Sequence, residues 1–500
     1  MTITARPGAL LLAAALAIGI AADILLRAVP PGIGWSGWIL LFTAAPPALG
    51  ALLGKPTGRD SLVAAFCSAL CALGITLRDS GPLVFLNVCG ALTACGLLAA
   101  RTASRGLRRT SVYELIHAML VHLVHSIAGA GFLLAHEIAP VRSPASPRRK
   151  AVVSVVRGCA LAVPALFVFG TLFASADDAF HTIAAKFFDV DLSTLVSHAA
   201  LTCAVGWVSA GFLRGALLAD EVPAPVTLRE SFFSLGIVEV GMLLGLLDAL
   251  FLLFVALQVP YLFGGAATVA GTPSLTVAAY FRKGFFELTA VACLTILTLL
   301  IADWILRKEK PRDALIFRSL AGLTLMLLGL IMASAWQRFF LYLGAYGLTE
   351  LRVYAAASLA IMGLVAAWFA WSVLTGRREL FAGGAIAAAY AVLIALTALN
   401  PDALIARVNL SRIAAGKSCD AAYIAHLSAD ASDELMGGLP RLPSADASAV
   451  ARNLLRFGDR VADPLSWNVA RSRAFAAVQR HREMLAQFVV MPLSTHHTQE

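Results

Sequence analysis

The sequence predicts an all-α, polytopic helical membrane protein with a small helical C-terminal extramembrane domain. Three observations predict it. About eleven apolar stretches are each long enough to cross a bilayer. Short arginine and lysine clusters fall between them at alternate ends. Beyond Asn400 the long apolar runs give way to helix signals of the kind soluble domains carry.

Composition agrees with the pattern. Of 500 residues, 59% are hydrophobic and 14% charged, which leaves a soluble globule too little polar surface to cover itself. The net charge of +9 sits between spans, so it predicts orientation and contact with anionic lipids at the cytoplasmic face rather than nucleic-acid binding. Seven of the eight cysteines fall in expected spans and Cys419 stands alone, so neither a disulfide framework nor a CxxC metal pair follows. Cys67 and Cys71, one helical turn apart among alanines, read as packing residues.

The first span, Ala9 to Val29, follows Arg6 without a cleavage-like small-residue motif and is expected to be a retained helix. Spans at Trp35 to Leu53, Ser61 to Leu77 and Pro82 to Ala100 return the chain to its starting side. There it meets Arg101, Arg105, Arg108 and Arg109, and later Arg142, Arg148, Arg149 and Lys150, which marks that side as cytoplasmic. Tyr113 to Glu137, between the two clusters, is apolar enough to imitate a crossing. Its flanks and its polar arc of Glu114, His117, His122 and His125 predict instead a half-immersed helix on the cytoplasmic surface. Seven spans follow: Val152 to Ala174, Leu195 to Leu217, Leu235 to Leu257, Phe285 to Ile305, Leu320 to Phe340, Val353 to Leu374 and Leu380 to Leu399. This assigns residues 1–100 to four N-terminal helices, 101–151 to a basic cytoplasmic segment, 152–399 to a seven-helix membrane domain and 400–500 to a periplasmic helical tail. In the tail, Pro401 suits a first helical turn, Gly416 a stop, and Ser466 to Phe488 a last helix.

Several stretches resemble a known group. LFASADDAF (Leu172 to Phe180), QVPYLFGG (Gln258 to Gly265), YFRKGFFEL (Tyr280 to Leu288) and SAWQRFFLYLGAYGLTELRVY (Ser334 to Tyr354) recur in that order, and VNLSR (Val408 to Arg412) and DAAYIAHLSAD (Asp420 to Asp430) continue the likeness. Together they resemble bacterial membrane proteins grouped as domains of unknown function 4153 and 4173, over roughly Val152 to Asp430. The resemblance implies architecture and a bacterial inner membrane; it implies no reaction.

The candidate site residues are few. Asp248 lies midway along its span with no cation on the same helix, so it is either an ion or proton site or a protonated aspartate donating an interhelical hydrogen bond. Glu239 and Arg157 lie at comparable depths in two spans and can form a buried pair that fixes register. Asp23 and Arg27 invite the same structural reading. At the periplasmic face, Asp177 and Asp178 and the connection carrying Arg338, Tyr342, Glu350 and Arg352 form a candidate cluster, with the connection expected to clamp the Asp177–Asp178 loop or to bind an anionic group. Asp189 and Asp191 spell a DxD too common to decide anything, and the histidines of the surface helix lack metal-binding spacing. No metal or cofactor is expected. Three function classes remain open: an envelope interaction or regulatory platform with a periplasmic partner for residues 400–500, an ion- or proton-coupled transporter using Asp248, and a membrane-embedded enzyme at the periplasmic face.

Overall fold

The computed structural model describes residues 7–55, 58–99, 110–134, 192–218, 235–270, 285–307, 310–417, 421–459 and 463–490, with isolated positions at 154, 158, 162, 169, 173 and 177. Among them the chain is helical without strands. Eleven helices are long and apolar enough to cross a membrane: α1 (Pro7–Leu25), α2 (Ile33–Leu52), α3 (Arg59–Leu77), α4 (Gly81–Ala99), α5 (Val112–Phe132), α6 (Leu192–Leu217), α7 (Ile237–Ala270), α8 (Phe285–Ile305), α9 (Pro311–Tyr346), α10 (Glu350–Leu374) and α11 (Phe381–Leu399). The tail adds α12 (Pro401–Ala414), α13 (Ala421–Ile424), α14 (Ser432–Gly438), α15 (Ser444–Asp459) and α16 (Val469–Val490). The expected span Val152 to Ala174 lies almost wholly outside the described residues.

The chain divides into two compact units, one made of residues 1–68, 94–101 and 119–220 and the other of residues 69–93, 102–118 and 221–500. In the first, α1 buries Gly8, Leu11, Ala15, Ile18 and Ala22, an alternating three- and four-residue spacing that keeps one narrow seam facing a partner. That partner is α6, and the seam is antiparallel. Gly19 meets Thr202 and Gly206, Gly206 meets Ala15, and Asp23 meets His198. Small residues let the two backbones touch, which supplies the dispersion contact that helices in lipid need in place of a hydrophobic drive. A Cβ on Gly19 would stand 2.5 Å from the Thr202 carbonyl oxygen. At the seam's end Asp23 accepts from Arg27 Nε at 2.8 Å and pairs with His198 Nδ1 at 2.5 Å, while Arg27 donates to the Ser197 hydroxyl. The Asp23–Arg27 pair therefore fixes register between α1 and α6.

α5 departs from expectation in which way it faces. Glu114 caps its own helix, accepting from the Ser111 N–H while the Ser111 hydroxyl accepts from the Glu114 N–H. His122 and His125 turn toward Gly215 of α6, and Gly211 touches the backbone at His125 and Ser126. Ile116, Leu120, Leu123, Val124 and Ile127 form the exposed side. The polar arc expected to face water thus turns inward over its second half, because Gly211 lets the two backbones approach and Gly215 leaves room for the imidazoles.

The second unit holds α7 to α16 together with the α3–α4 turn. Leu244, Leu299, Phe317, Leu328 and Phe369 are fully buried in one core, and Leu235 pairs with Leu306 through a short backbone bridge. Gly384 lies against the Trp368 ring, whose Nε1 donates to Leu380 O at 3.1 Å. α9 runs 36 residues, well beyond the span expected at Leu320 to Phe340, because Pro311 starts it and the Lys310 N–H bonds Asp313 Oδ2. The tail is not a separate globule. Its core of Ile405, Leu410, Leu427, Leu435, Val450, Leu454 and Val478 is continuous with Leu83 of α4, Val353 of α10 and Leu396 of α11.

Replacing Gly19 with leucine is expected to separate α1 from α6 and lower stability by about 1–3 kcal/mol. Gly37→Ala, whose Cβ would meet only Leu25 Cδ1 at 4.0 Å, is expected to be neutral. Thermal unfolding in detergent, followed by size-exclusion recovery, compares the two; equal melting temperatures would contradict the seam.

Candidate functional site

The functional groups that converge do so where the tail meets the ends of α3, α9 and α11. Helix C-termini leave carbonyls without intrahelical donors, and near a membrane each must be satisfied by something else. Arg412 of α12 donates to Gly344 O at 2.7 Å and Ala345 O at 2.8 Å at the end of α9. Arg352 donates to Gly347 O at 2.6 Å and Tyr346 O at 2.9 Å, and its guanidinium lies 4.4 Å over the Tyr342 ring. Arg78 donates to Thr397 O and Ala398 O at the end of α11. Asn468, fully buried, donates to Ile75 O and Arg78 O at the end of α3.

The α9–α10 turn is held from the tail by a two-point clamp. Leu348 N donates to Asn409 Oδ1 at 2.9 Å, and Asn409 Nδ2 donates back to Leu348 O at 2.8 Å. Gly347 takes φ +73°, a left-handed conformation, and Asn409 occupies the space a side chain there would need. Glu350 N donates to the Tyr423 hydroxyl at 2.8 Å. On the far side of the junction the α3–α4 turn and the tail exchange bonds. Asp79 N and Ser80 N donate to Asp430 Oδ2 at 2.6 and 2.9 Å, while Ala429 N donates to Asp79 Oδ2 at 3.3 Å. Arg78 stands 3.6 Å from Asp430, and Arg471 of α16 stands 3.3 Å from Asp79.

Between these two sets lies a buried acidic group. Asp402 is wholly inaccessible and its Oδ2 accepts from the Ser428 hydroxyl at 2.5 Å and from Ser428 N at 3.2 Å. The Glu350 carboxyl lies near Asp402, so the two acidic groups share one neighbourhood. Asp430 adds a third carboxyl, linked to Asp402 through Ser428. Burial pushes Asp430 up to about 6, with Asp402 adding to the rise, although the Asp79 and Ser80 amides and Arg78 pull the other way. Burial also raises the Tyr423 phenol. Among the described residues no set of three histidine, cysteine or acidic side chains has metal-binding geometry. What this arrangement can handle chemically is a proton.

The residues singled out from sequence divide accordingly. Tyr342, Glu350 and Arg352 do come together, with the tail packed against their turn. The expected partner, the Asp177–Asp178 loop, lies, apart from Asp177, outside the described residues. Arg338 sits half-buried one turn before Tyr342 on α9. Asp177 is exposed, and Asp178 and Arg157 lie outside the described residues, as does therefore the Glu239–Arg157 pair. Glu239 is exposed in the first turn of α7, its carboxylate beside Gly236 at the helix start.

Asp248 is 4% exposed and packs against buried Thr324 of α9. The Thr324 Oγ1 lies 2.6 Å from Asp248 Oδ1 and 3.0 Å from Leu320 O. That geometry is an interhelical hydrogen bond between α7 and α9. Sequence reasoning missed Asp79, Asp402 and Asp430 as a group, although Asp430 ends the DAAYIAHLSAD stretch and Asn409 and Arg412 lie in VNLSR.

Asn409→Ala leaves the Leu348 N–H and carbonyl unmet and is expected to cost about 3 kcal/mol. The tail should then become cleavable near residue 400 by a protease that spares the wild type; unchanged protection would show that the clamp does not hold it.

No curated protein and no solved structure matches the chain significantly. A family model described as "Domain of unknown function (DUF4153)" matches residues 65–436. The match begins inside α3, further upstream than the likeness noted from Val152 onward, and so includes the Arg78–Ser80 turn together with Gly347, Glu350, Arg352, Asp402, Asn409, Arg412 and Asp430. With nearly three quarters of its length matched, from the α3–α4 turn through both halves of the tail junction, the chain belongs to the DUF4153 family.

Proposed function

We propose that this protein is a bacterial inner-membrane platform, with its N-terminus in the cytoplasm and its tail forming a periplasmic cap that presents a surface to an envelope partner. One observation carries the reading: the cap supplies the capping groups for α3 and α9 and shares a hydrophobic core with α4, α10 and α11. A domain so attached reports the arrangement of those helices at its outer surface. The packing of Asp248 against Thr324 gives it a structural task and favours the platform over a transporter.

Two further observations support the orientation. The α1–α6 seam puts the start of α6 beside the end of α1, so an odd number of crossings separates α4 from α6. In the register that sets Gly129 beside Gly211, Leu123 lies level with Leu217, the last residue of α6. About ten residues of α5 then run alongside α6, roughly 15 Å against a hydrocarbon core of roughly 30 Å. This supports α5 as a half-inserted helix. Alkaline phosphatase fused after Glu500 is expected to be active, and a cytoplasm-dependent fluorescent protein at the same point dark; the reverse pattern refutes the topology.

The function itself is tested by separating cap surface from membrane interior in a deletion strain with a measurable envelope phenotype. Removing the whole tail is unsuitable, because it uncovers Leu83, Val353 and Leu396 and uncaps α9. The exposed changes Arg452→Glu and Phe475→Asp are expected to leave abundance and melting unaltered while abolishing complementation. Asp248→Asn, which keeps the bond to Thr324, is expected to complement fully and to change stability by less than about 1 kcal/mol. Full complementation by the cap variant together with failure of Asp248→Asn at matched abundance would overturn the platform in favour of transport.

A further inference from the structure

The junction between cap and membrane helices is held by opposite kinds of contact. Around it lie clamps made by side-chain amides and guanidinium groups: Asn409 on Leu348, Asn468 on α3, and the arginine caps on α9 and α11. At its centre lie Asp402 and Asp430, whose carboxyls are withdrawn from water, with the half-buried Glu350 beside them. The groups facing them can be named element by element. The α3–α4 turn presents Arg78, Asp79 and Ser80; α10 presents Glu350, Arg352 and Tyr354; the cap presents Asp402, Tyr423, Ser428, Asp430 and, behind Asp79, Arg471. Arg78 is the cation that approaches Asp430, and it is also committed to the carbonyls of α11. Arg78 thus divides its charge between Asp430 and the carbonyls at the end of α11. The cap follows α11 directly through Asn400, which takes a left-handed conformation at φ 55°.

We propose that the Glu350–Asp402–Asp430 cluster is a proton-operated latch that seats the cap on the membrane helices in acid and loosens it as the surroundings approach neutrality. The proposal rests on the platform reading and names its regulation. Seated, the cluster is stable with a proton on Asp430; released, the Asp430 carboxyl meets water and gives up that proton at its ordinary value.

The sign follows from Asp430. Its value is about 6 when buried against an ordinary 3.8. A carboxyl raised on docking contributes stability that is fully present below the ordinary value and is lost as pH rises through the raised one. Docking should thus weaken from about pH 4 to somewhat above pH 6, by on the order of a hundredfold in its equilibrium constant.

The test uses full-length protein in nanodiscs, with an environment-sensitive fluorophore on Ala476→Cys in a background lacking other cysteines. The quantity measured is the urea midpoint for cap release at about pH 5 and about pH 7.5. Wild type is expected to release at markedly lower urea at the higher pH. Asp430→Asn retains an acceptor for the Asp79 and Ser80 amides and is expected to lose most of that dependence, and Asp430→Asn with Glu350→Gln to lose the rest. A wild-type midpoint that does not move with pH, or an undiminished dependence in the double variant, overturns the latch. Should the variants fail to fold, infrared difference spectra of the wild type decide instead: a protonated-carboxyl band that fades with a midpoint near pH 6 is expected, and none overturns the proposal. A cap that stays seated at every pH removes the latch and leaves the platform standing, whereas a cap released without urea at every pH removes the platform as well.

Discussion

The rest of the structure depends on one constraint: carbonyls at the ends of membrane helices must find donors where water is scarce. Each C-terminus leaves several acceptors open, and a buried unmet acceptor costs about 1–3 kcal/mol. Here α3, α9 and α11 end at the same junction, and four side chains close them. Two come from the tail, Asn468 and Arg412, and two from short turns, Arg78 and Arg352. Those four fix where the tail sits. Its apolar core then closes over Leu83, Val353 and Leu396, surfaces that would otherwise face the headgroup layer. The cap is thus part of how the membrane helices terminate.

Polar groups drawn into such a junction bring a cost with them. Asp402 is needed by Ser428, and Asp430 by two amides of the α3–α4 turn, yet bringing both inside sets carboxylates beside one another and beside Glu350. Buried ionic groups of this kind contribute more to register than to stability. The α1–α6 seam solves its own register problem differently. Glycine and alanine there allow backbone contact, and a single ionic set of Asp23, Arg27 and His198 marks one end.

Much of this was legible in the sequence and the rest was not, for physical reasons. Spans announce themselves because twenty apolar residues have few other uses, and ten of the eleven described membrane helices fall where such runs lie and were read as crossings. The concentration of arginine, tyrosine and glutamate around Gly347 marked a bonded turn. Its partner was invisible, since Leu348 and Asn409 lie 61 residues apart and Asp79 and Ala429 350 apart, and no local pattern encodes such pairings. Asp248 showed the same limit: its depth was readable, while Thr324, the group that gives it a structural task, sits 76 residues away. For α5 the helix was readable and its facing was not, because the glycines that turn His122 and His125 inward belong to α6.

The antiparallel seam between α1 and α6 also bears on how the chain is made. Asp23 and His198 are 175 residues apart, so at ordinary rates of synthesis α1 enters the bilayer roughly ten to forty seconds before its partner leaves the ribosome. During that interval Gly19, with the open groove around it, and Asp23, paired with Arg27 and still lacking His198, face lipid or whatever machinery accompanies insertion. A helix with so little side-chain bulk on one face and a carboxylate at one end is poorly suited to wait alone. Nascent chains arrested between α2 and α6 should therefore remain in the custody of an insertase, and the first helix of this protein is the segment most dependent on it.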